Sequence, residues 1–220
     1  FHNSQIKPNA KIEISPGVKC WRESRPINNV GLYIPGGSAP LFSTLLMLGI
    51  PAKIAGVKNI NIVTPPNRDG EIDDVILYVA SILKISNIFK IGGAQSIAAL
   101  SMGTNTIPKV DKIFGPGNQY VTKSKFFASN NGTDIDMLSG PSEVFIIADK
   151  TCNPKYVAAD LLSQAEHGPD SQFILATDDK SVIANVQKEI EEQLLSLPRA
   201  ATIIKSIKNS FLVKFENIND

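Results

Sequence analysis

Three β-branched or aromatic runs in this chain each stop at a glycine-rich turn and pass into a helix-like stretch. The turns are Pro35-Gly36-Gly37-Ser38, Gly92-Gly93-Ala94-Gln95 and Gly115-Pro116-Gly117-Asn118. Strands alternating with helices imply parallel sheets built from right-handed βαβ units. Short runs bounded by Gly, Pro, Asn or Asp place strands at 30–34, 59–63, 87–91, 111–114, 143–148, 172–176 and 211–213. Helices are expected between them at about 40–48, 71–83, 94–102, 118–128, 154–167 and 179–195. Each glycine turn falls at the carboxyl end of a strand, where open α/β sheets collect their ligands. Glycine there lets backbone approach a ligand, and the helix that follows offers free N–H groups to a phosphate. Tight βα turns also use glycine for steric reasons alone; three on one sheet edge point to a nucleotide. The usual dinucleotide fingerprint is absent, because Tyr120 stands where its third glycine belongs. A dinucleotide would therefore bind differently from the standard Rossmann mode.

With 220 residues and 43% hydrophobic content, the chain can bury one sizeable core or two small ones. Lys and Arg number 22 against 21 Asp and Glu, which leaves no cationic footprint for nucleic acid or an anionic membrane. Cys20 and Cys152 are far apart and in no CxxC spacing, as expected of a reduced, cytoplasmic setting. The longest apolar run, 45–52, is interrupted by Gly49 and Pro51 and is too short to span a bilayer. The N-terminus is polar and does not read as a signal peptide. The chain begins at Phe1 without Met and stops soon after an apparent strand at 211–215, so an excerpt from a longer protein is expected.

A second feature lies at Ser163-Gln164-Ala165-Glu166-His167-Gly168-Pro169-Asp170-Ser171. Asn153 can cap a helix and Pro154 fits its first position. Gly168-Pro169 is expected to end it, the glycine tolerating a left-handed conformation and the proline blocking continuation. Val157, Ala158, Leu161, Leu162 and Ala165 form an apolar stripe, with Gln164 at its border. On one helix Gln164 and His167 would project from neighbouring points of a face, and a carboxamide oxygen with an imidazole nitrogen can hold zinc. Equally, His167 could serve only the helix dipole while Gln164 is solvated. A Q-x-x-H pair alone is not a metal site.

From Val30 to Asp178 the chain resembles the histidinol dehydrogenase family. The motifs are 31–40 (Gly-Leu-Tyr-Ile-Pro-Gly-Gly-Ser-Ala-Pro), Gly92-Gly93-Ala94-Gln95, Lys112-Ile113-Phe114-Gly115-Pro116-Gly117-Asn118, Gly140-Pro141-Ser142-Glu143 and 164–171. Ser139 stands where the family more usually has alanine. The resemblance covers roughly the middle half of the family's length. It implies two incomplete Rossmann-like domains, one inserted into the other, in an intertwined homodimer. The NAD-binding domain would be 33–141, and segments 1–32 and 142–220 would belong together as the substrate and zinc domain.

The same resemblance implies NAD contacts at Tyr33, Gln95 and Asn118. It implies substrate contacts at Ser142, Gln164 and His167, the last two also ligating one zinc ion per subunit. The implied reaction is the four-electron, NAD-dependent oxidation of L-histidinol to L-histidine through the aldehyde, the last step of histidine biosynthesis. No catalytic residue is expected within 1–220: the family's Glu-His pair and two further zinc ligands would lie beyond Asp220. Two other readings stand beside this one. An NAD-linked aldehyde oxidoreductase acting through cysteine needs a thiolate beside the nicotinamide, but Cys20 reads as a pre-strand loop residue, Cys152 precedes a helix cap, and neither follows a glycine turn. A non-catalytic nucleotide-binding module would keep the fold without the chemistry.

Overall fold

Ahead of the first expected strand, the computed structural model, which describes residues 1–6, 9–36, 41–138 and 140–217, holds a 3-10 turn and a hairpin. The turn is His2–Gln5; the antiparallel hairpin pairs β1 (Ile12–Ser15) with β2 (Val18–Cys20). Every hairpin residue is exposed, so no alternation of apolar and polar positions announces it. Cys20 ends β2 and is not a loop residue.

Five parallel strands follow: β3 (Asn29–Tyr33), β4 (Asn59–Thr64), β5 (Asn87–Lys90), β6 (Lys112–Phe114) and β7 (Asp134–Ile135). They lie in the order β5-β4-β3-β6-β7. The connecting helices are α1 (Phe42–Ile54), α2 (Asp74–Ile82), α3 (Gly93–Met102) and α4 (Gln119–Asn130). Successive side chains of a strand point to opposite faces, and the core divides accordingly. Val30, Leu32, Ile60 and Ile62 pack with Leu45 of α1 and Ile76 and Val79 of α2. Tyr33, Val63 and Ile113 pack with Ile97 and Leu100 of α3 and Val121 of α4. The sheet is thus covered on both faces, and its strand order reverses between β3 and β6. That reversal is the switch point at which a doubly wound sheet opens a crevice beyond its carboxyl ends.

The second sheet is smaller and parallel throughout, in the order β10-β9-β8, with β8 at Glu143–Ile147, β9 at Gln172–Thr177 and β10 at Phe211–Lys214. Helices α5 (Pro154–Ala165), α6 (Lys180–Leu194) and α7 (Ala200–Ile207) connect them. Each strand steps the same way, so right-handed crossovers put these helices on one face. Leu161 and Leu162 of α5, Val186 of α6 and Ile203 of α7 meet Phe173 and Leu175 there. On the other face the register aligns Phe145, Ile174 and Phe211. Phe145 is 56% and Phe211 55% exposed. The sheet is wound on one side only, as an incomplete Rossmann-like domain is.

Several expectations need adjustment. Helix α1 runs through Gly49 and Pro51 to Ile54. Proline there forfeits one backbone hydrogen bond, to the carbonyl of residue 47, while Leu45 and Gly49 stay buried against the sheet. The start expected at Pro40 and the Gly37-Ser38 part of the first turn lie outside the described residues, as does Ser139. Helix α5 ends at Ala165, two residues short of His167. Its last turn tightens, with the His167 N–H donating to the Gln164 carbonyl at 3.3 Å. Gly168 is not among the left-handed glycines. Finally, the chain divides into units Phe1–Ser139 and Gly140–Asp220. A boundary after residue 32 would cut β3, which lies at the centre of the five-stranded sheet.

Candidate functional site

The carboxyl edge of the large sheet gathers the glycine turns around Tyr33. Tyr33 closes β3 and is 5% exposed, its ring set in the core beside α3 and α4. Its hydroxyl accepts a long hydrogen bond, 3.4 Å, from the Gly93 N–H at the start of α3. Its carbonyl lies against Gly115, where a β-carbon would come within 2.1 Å of the Tyr33 oxygen. Gly115 also has φ +127°, outside the range that side-chain-bearing residues favour. One residue therefore touches both of the other turns.

Gln95 lies in the first turn of α3 and is exposed. Asn118 is the N-cap of α4: its side-chain oxygen accepts from the N–H groups of Tyr120 and Val121, both at 3.1 Å. The two helix N-termini consequently differ. The α4 donors are partly satisfied by Asn118, whereas α3 begins at Gly92 with no capping side chain. Beyond the Gly93 N–H that Tyr33 accepts, the amides at the start of α3 are the natural seat for an anionic group on this edge. The structure thus brings Tyr33, Gln95 and Asn118 to one edge of one sheet, with Tyr33 buried and the other two exposed.

Behind that edge stands a pair the motifs did not mark. Lys125 on α4 has a side chain only 3% exposed and is ion-paired to Asp136, which follows β7. Lys125 Nζ donates to the Gly115 carbonyl at 3.0 Å, and the Gly115 N–H donates to Asp136 Oδ2 at 2.8 Å. The available signal was helical spacing. Lys125 falls on the face of buried Val121 and Ala128, where a lysine needs a partner.

In the second unit the expected residues lie toward the amino edge of the small sheet. Ser142 immediately precedes β8, and its carbonyl accepts the Gln172 N–H at 3.0 Å. Gln164, half-buried, lies on the last turn of α5, and His167, exposed, lies in the turn after it. Their oxygen and nitrogen are donor types that zinc accepts, but two donors fall short of the three or four a zinc site requires. Among the described residues, no group of three or more His, Cys, Asp and Glu could hold a metal.

The carboxyl edge of that sheet carries Asp149 and Asp179. The Thr151 hydroxyl, then its amide, hold the Asp149 carboxyl below its ordinary range. Ser181 does the same for Asp179, by hydroxyl and then amide, at the cap of α6. Cys152 moves the opposite way: burial, then the Asp149 charge, push its thiol up. A nucleophilic cysteine needs a lowered pKa, so the cysteine-dependent route finds no support at Cys152.

A doubly wound parallel sheet with glycine turns at its switch point defines a Rossmann-like α/β protein. The sequence model of histidinol dehydrogenase matches residues 1–220. A curated histidinol dehydrogenase from Bacteroides thetaiotaomicron is 51% identical over 220 residues, covering 100% of this chain and 51% of that protein. One from Buchnera aphidicola is 52% identical, covering 100% of this chain and 50% of its own length. The solved histidinol dehydrogenase of Elizabethkingia anophelis superposes with a TM-score of 0.94 at 56% identity, over 99% of this chain and 50% of that one. The chain belongs to the histidinol dehydrogenase family. It spans about half the length of the curated relatives it matches. A betaine aldehyde dehydrogenase from Staphylococcus aureus, 14% identical with a TM-score of 0.56 over 88% of this chain and 38% of that one, shares the fold alone.

Proposed function

We propose that this chain supplies the dinucleotide site and part of the substrate site for NAD-dependent oxidation of L-histidinol to L-histidine. The observation that carries the reading is the carboxyl edge of the large sheet, where Tyr33 touches two glycine turns beside the uncapped start of α3. The dinucleotide phosphates take the α3 amides. Gln95 and the Asn118 carboxamide N–H, free of the capping role its oxygen plays, contact the cofactor from either side of Tyr33.

Ser142, Gln164 and His167 orient the substrate from the second unit. Gln164 and His167 would also hold zinc, which with a full ligand set would help to position the substrate. Each oxidation transfers a hydride from the same carbon to NAD and a proton to a base, with water adding to the aldehyde between the two. The only Glu-His pair here is Glu166-His167, and His167 is committed to substrate. The base and the remaining zinc ligands belong to the part of the family's length that this chain does not span. The reading also includes the family's homodimer and the grouping of the segment ahead of β3 with 142–220.

Gly93→Val tests it. At φ +67° a β-branched residue is strained, and the variant should weaken NADH binding while leaving L-histidinol binding to the second unit unchanged. Unchanged NADH binding would refute the assignment, and equal loss of both ligands would mark general misfolding instead.

A further inference from the structure

We propose that Lys125 and Asp136 are positioning residues for the dinucleotide: they set the Gly115–Asn118 turn without touching the ligand. The inference rests on the dinucleotide reading of the carboxyl edge. Both backbone groups of Gly115 are held, its N–H by Asp136 Oδ2 and its carbonyl by Lys125 Nζ, and the two holding groups are ion-paired to each other. Asp136 Oδ1 also accepts the Met137 N–H at 2.7 Å, which fixes the carboxylate to its own backbone. The clamp comes from two elements, α4 and the end of β7, on either side of the turn. Gly115 lies against the Tyr33 carbonyl. Rotating its peptide planes would move Asn118, three residues on, relative to Tyr33. The pair is nearly dry on the lysine side, at 3% exposure, where a charge is costly unless partnered. A surface pair could have served the fold; a buried one that takes up both polar groups of a single turn glycine orients that turn.

The test uses the whole chain and NADH, whose nicotinamide fluorescence reports binding. Lys125→Met with Asp136→Asn removes both charges together, leaves no unpaired buried ion, and keeps an acceptor for the Gly115 N–H. The Gly115 carbonyl loses its donor. The expected result is a thermal midpoint close to the parent's, faster amide exchange confined to 115–118, and NADH affinity weakened about tenfold, the scale of one lost charge-assisted hydrogen bond. A merely structural pair would change stability and affinity together. If parent and variant bind NADH alike, the positioning role is wrong and the dinucleotide reading stands. If the parent chain does not bind NADH, the dinucleotide reading fails and the positioning role with it. Should the double variant not fold, Lys125→Met alone decides, since Asp136 is 23% exposed and keeps the Gly115 and Met137 N–H donors: weakened NADH affinity supports the role, and unchanged affinity overturns it.

Discussion

Gly115 tolerates no side chain. A β-carbon there would sit 2.1 Å from the Tyr33 carbonyl oxygen, on a residue already at φ +127°. Gly115→Ala should cost about 3 kcal/mol or more, combining backbone strain with a clash against rigid backbone. Urea unfolding followed at amides of β3 and β6 measures this; a loss below about 1 kcal/mol would mean that the turn is looser than drawn. Asp149 and Asp179 contribute to the acid dependence. Their folded carboxyls titrate below the unfolded value of about 3.9. The stability they contribute is present above that value and is lost as pH falls through the lower folded value. Carboxyl-resolved NMR titration should give both midpoints below about 3.9, and the isosteric Asn variants should flatten the acid loss in the second unit. Midpoints at or above the ordinary value would contradict the hydrogen bonds from Thr151 and Ser181. That Tyr33, Gln95 and Asn118 would lie at the carboxyl edge was legible because each lies in or beside a glycine turn, a signal contained in four residues. Lys125 and Asp136 were not: they are 11 positions apart, and only folding brings both to Gly115.

Helices were legible where an apolar stripe and a cap agree. For α5, Asn153 caps by accepting the Lys155 N–H, and the five stripe residues are all buried. Its end was misplaced because Gly168-Pro169 marks a stop without fixing the residue at which the ladder gives out. Since Gly168 does not need a left-handed conformation and a β-carbon there would meet only the Ser171 hydroxyl at 4.0 Å, Gly168→Ala should be tolerated. We expect it to stabilise by about 0.4–1 kcal/mol through the unfolded chain, read from the denaturation midpoint of the second unit. A loss of about 2 kcal/mol would show that the turn carrying His167 is strained after all. Helix α1 was cut short because Pro51 reads locally as a breaker, while packing of its neighbours outweighs one missing hydrogen bond. The hairpin and the two-residue β7 gave no usable periodicity, being exposed or too short, whereas the eight-residue α7 was missed although Ala200, Ile203, Ile204 and Ile207 repeat at helical spacing.

At the scale of the whole molecule, alternation of strands and helices established parallel sheets but not their order. Only the register shows that β3 is central and that the large sheet is wound in both directions, while the small sheet is wound in one. The boundary after residue 32 that the family resemblance implies falls inside β3, the central strand of the large sheet. The residues thought to serve substrate lie on the amino edge of the small sheet, opposite the edge at which open α/β sheets collect their ligands. A cleft lined by Lys53, Lys58, Asn59, Lys84 and Asn87 opens on the opposite, amino edge of the large sheet, and offers a competing place for an anionic ligand. Titrating the isotopically labelled chain with NADH and following amide shifts residue by residue separates the two. Shifts concentrated at 93–96 and 115–118, with the amino edge silent, are the predicted result. Shifts centred on Lys58, Asn59 and Asn87, or none at all on saturation, would contradict a dinucleotide site at the switch point.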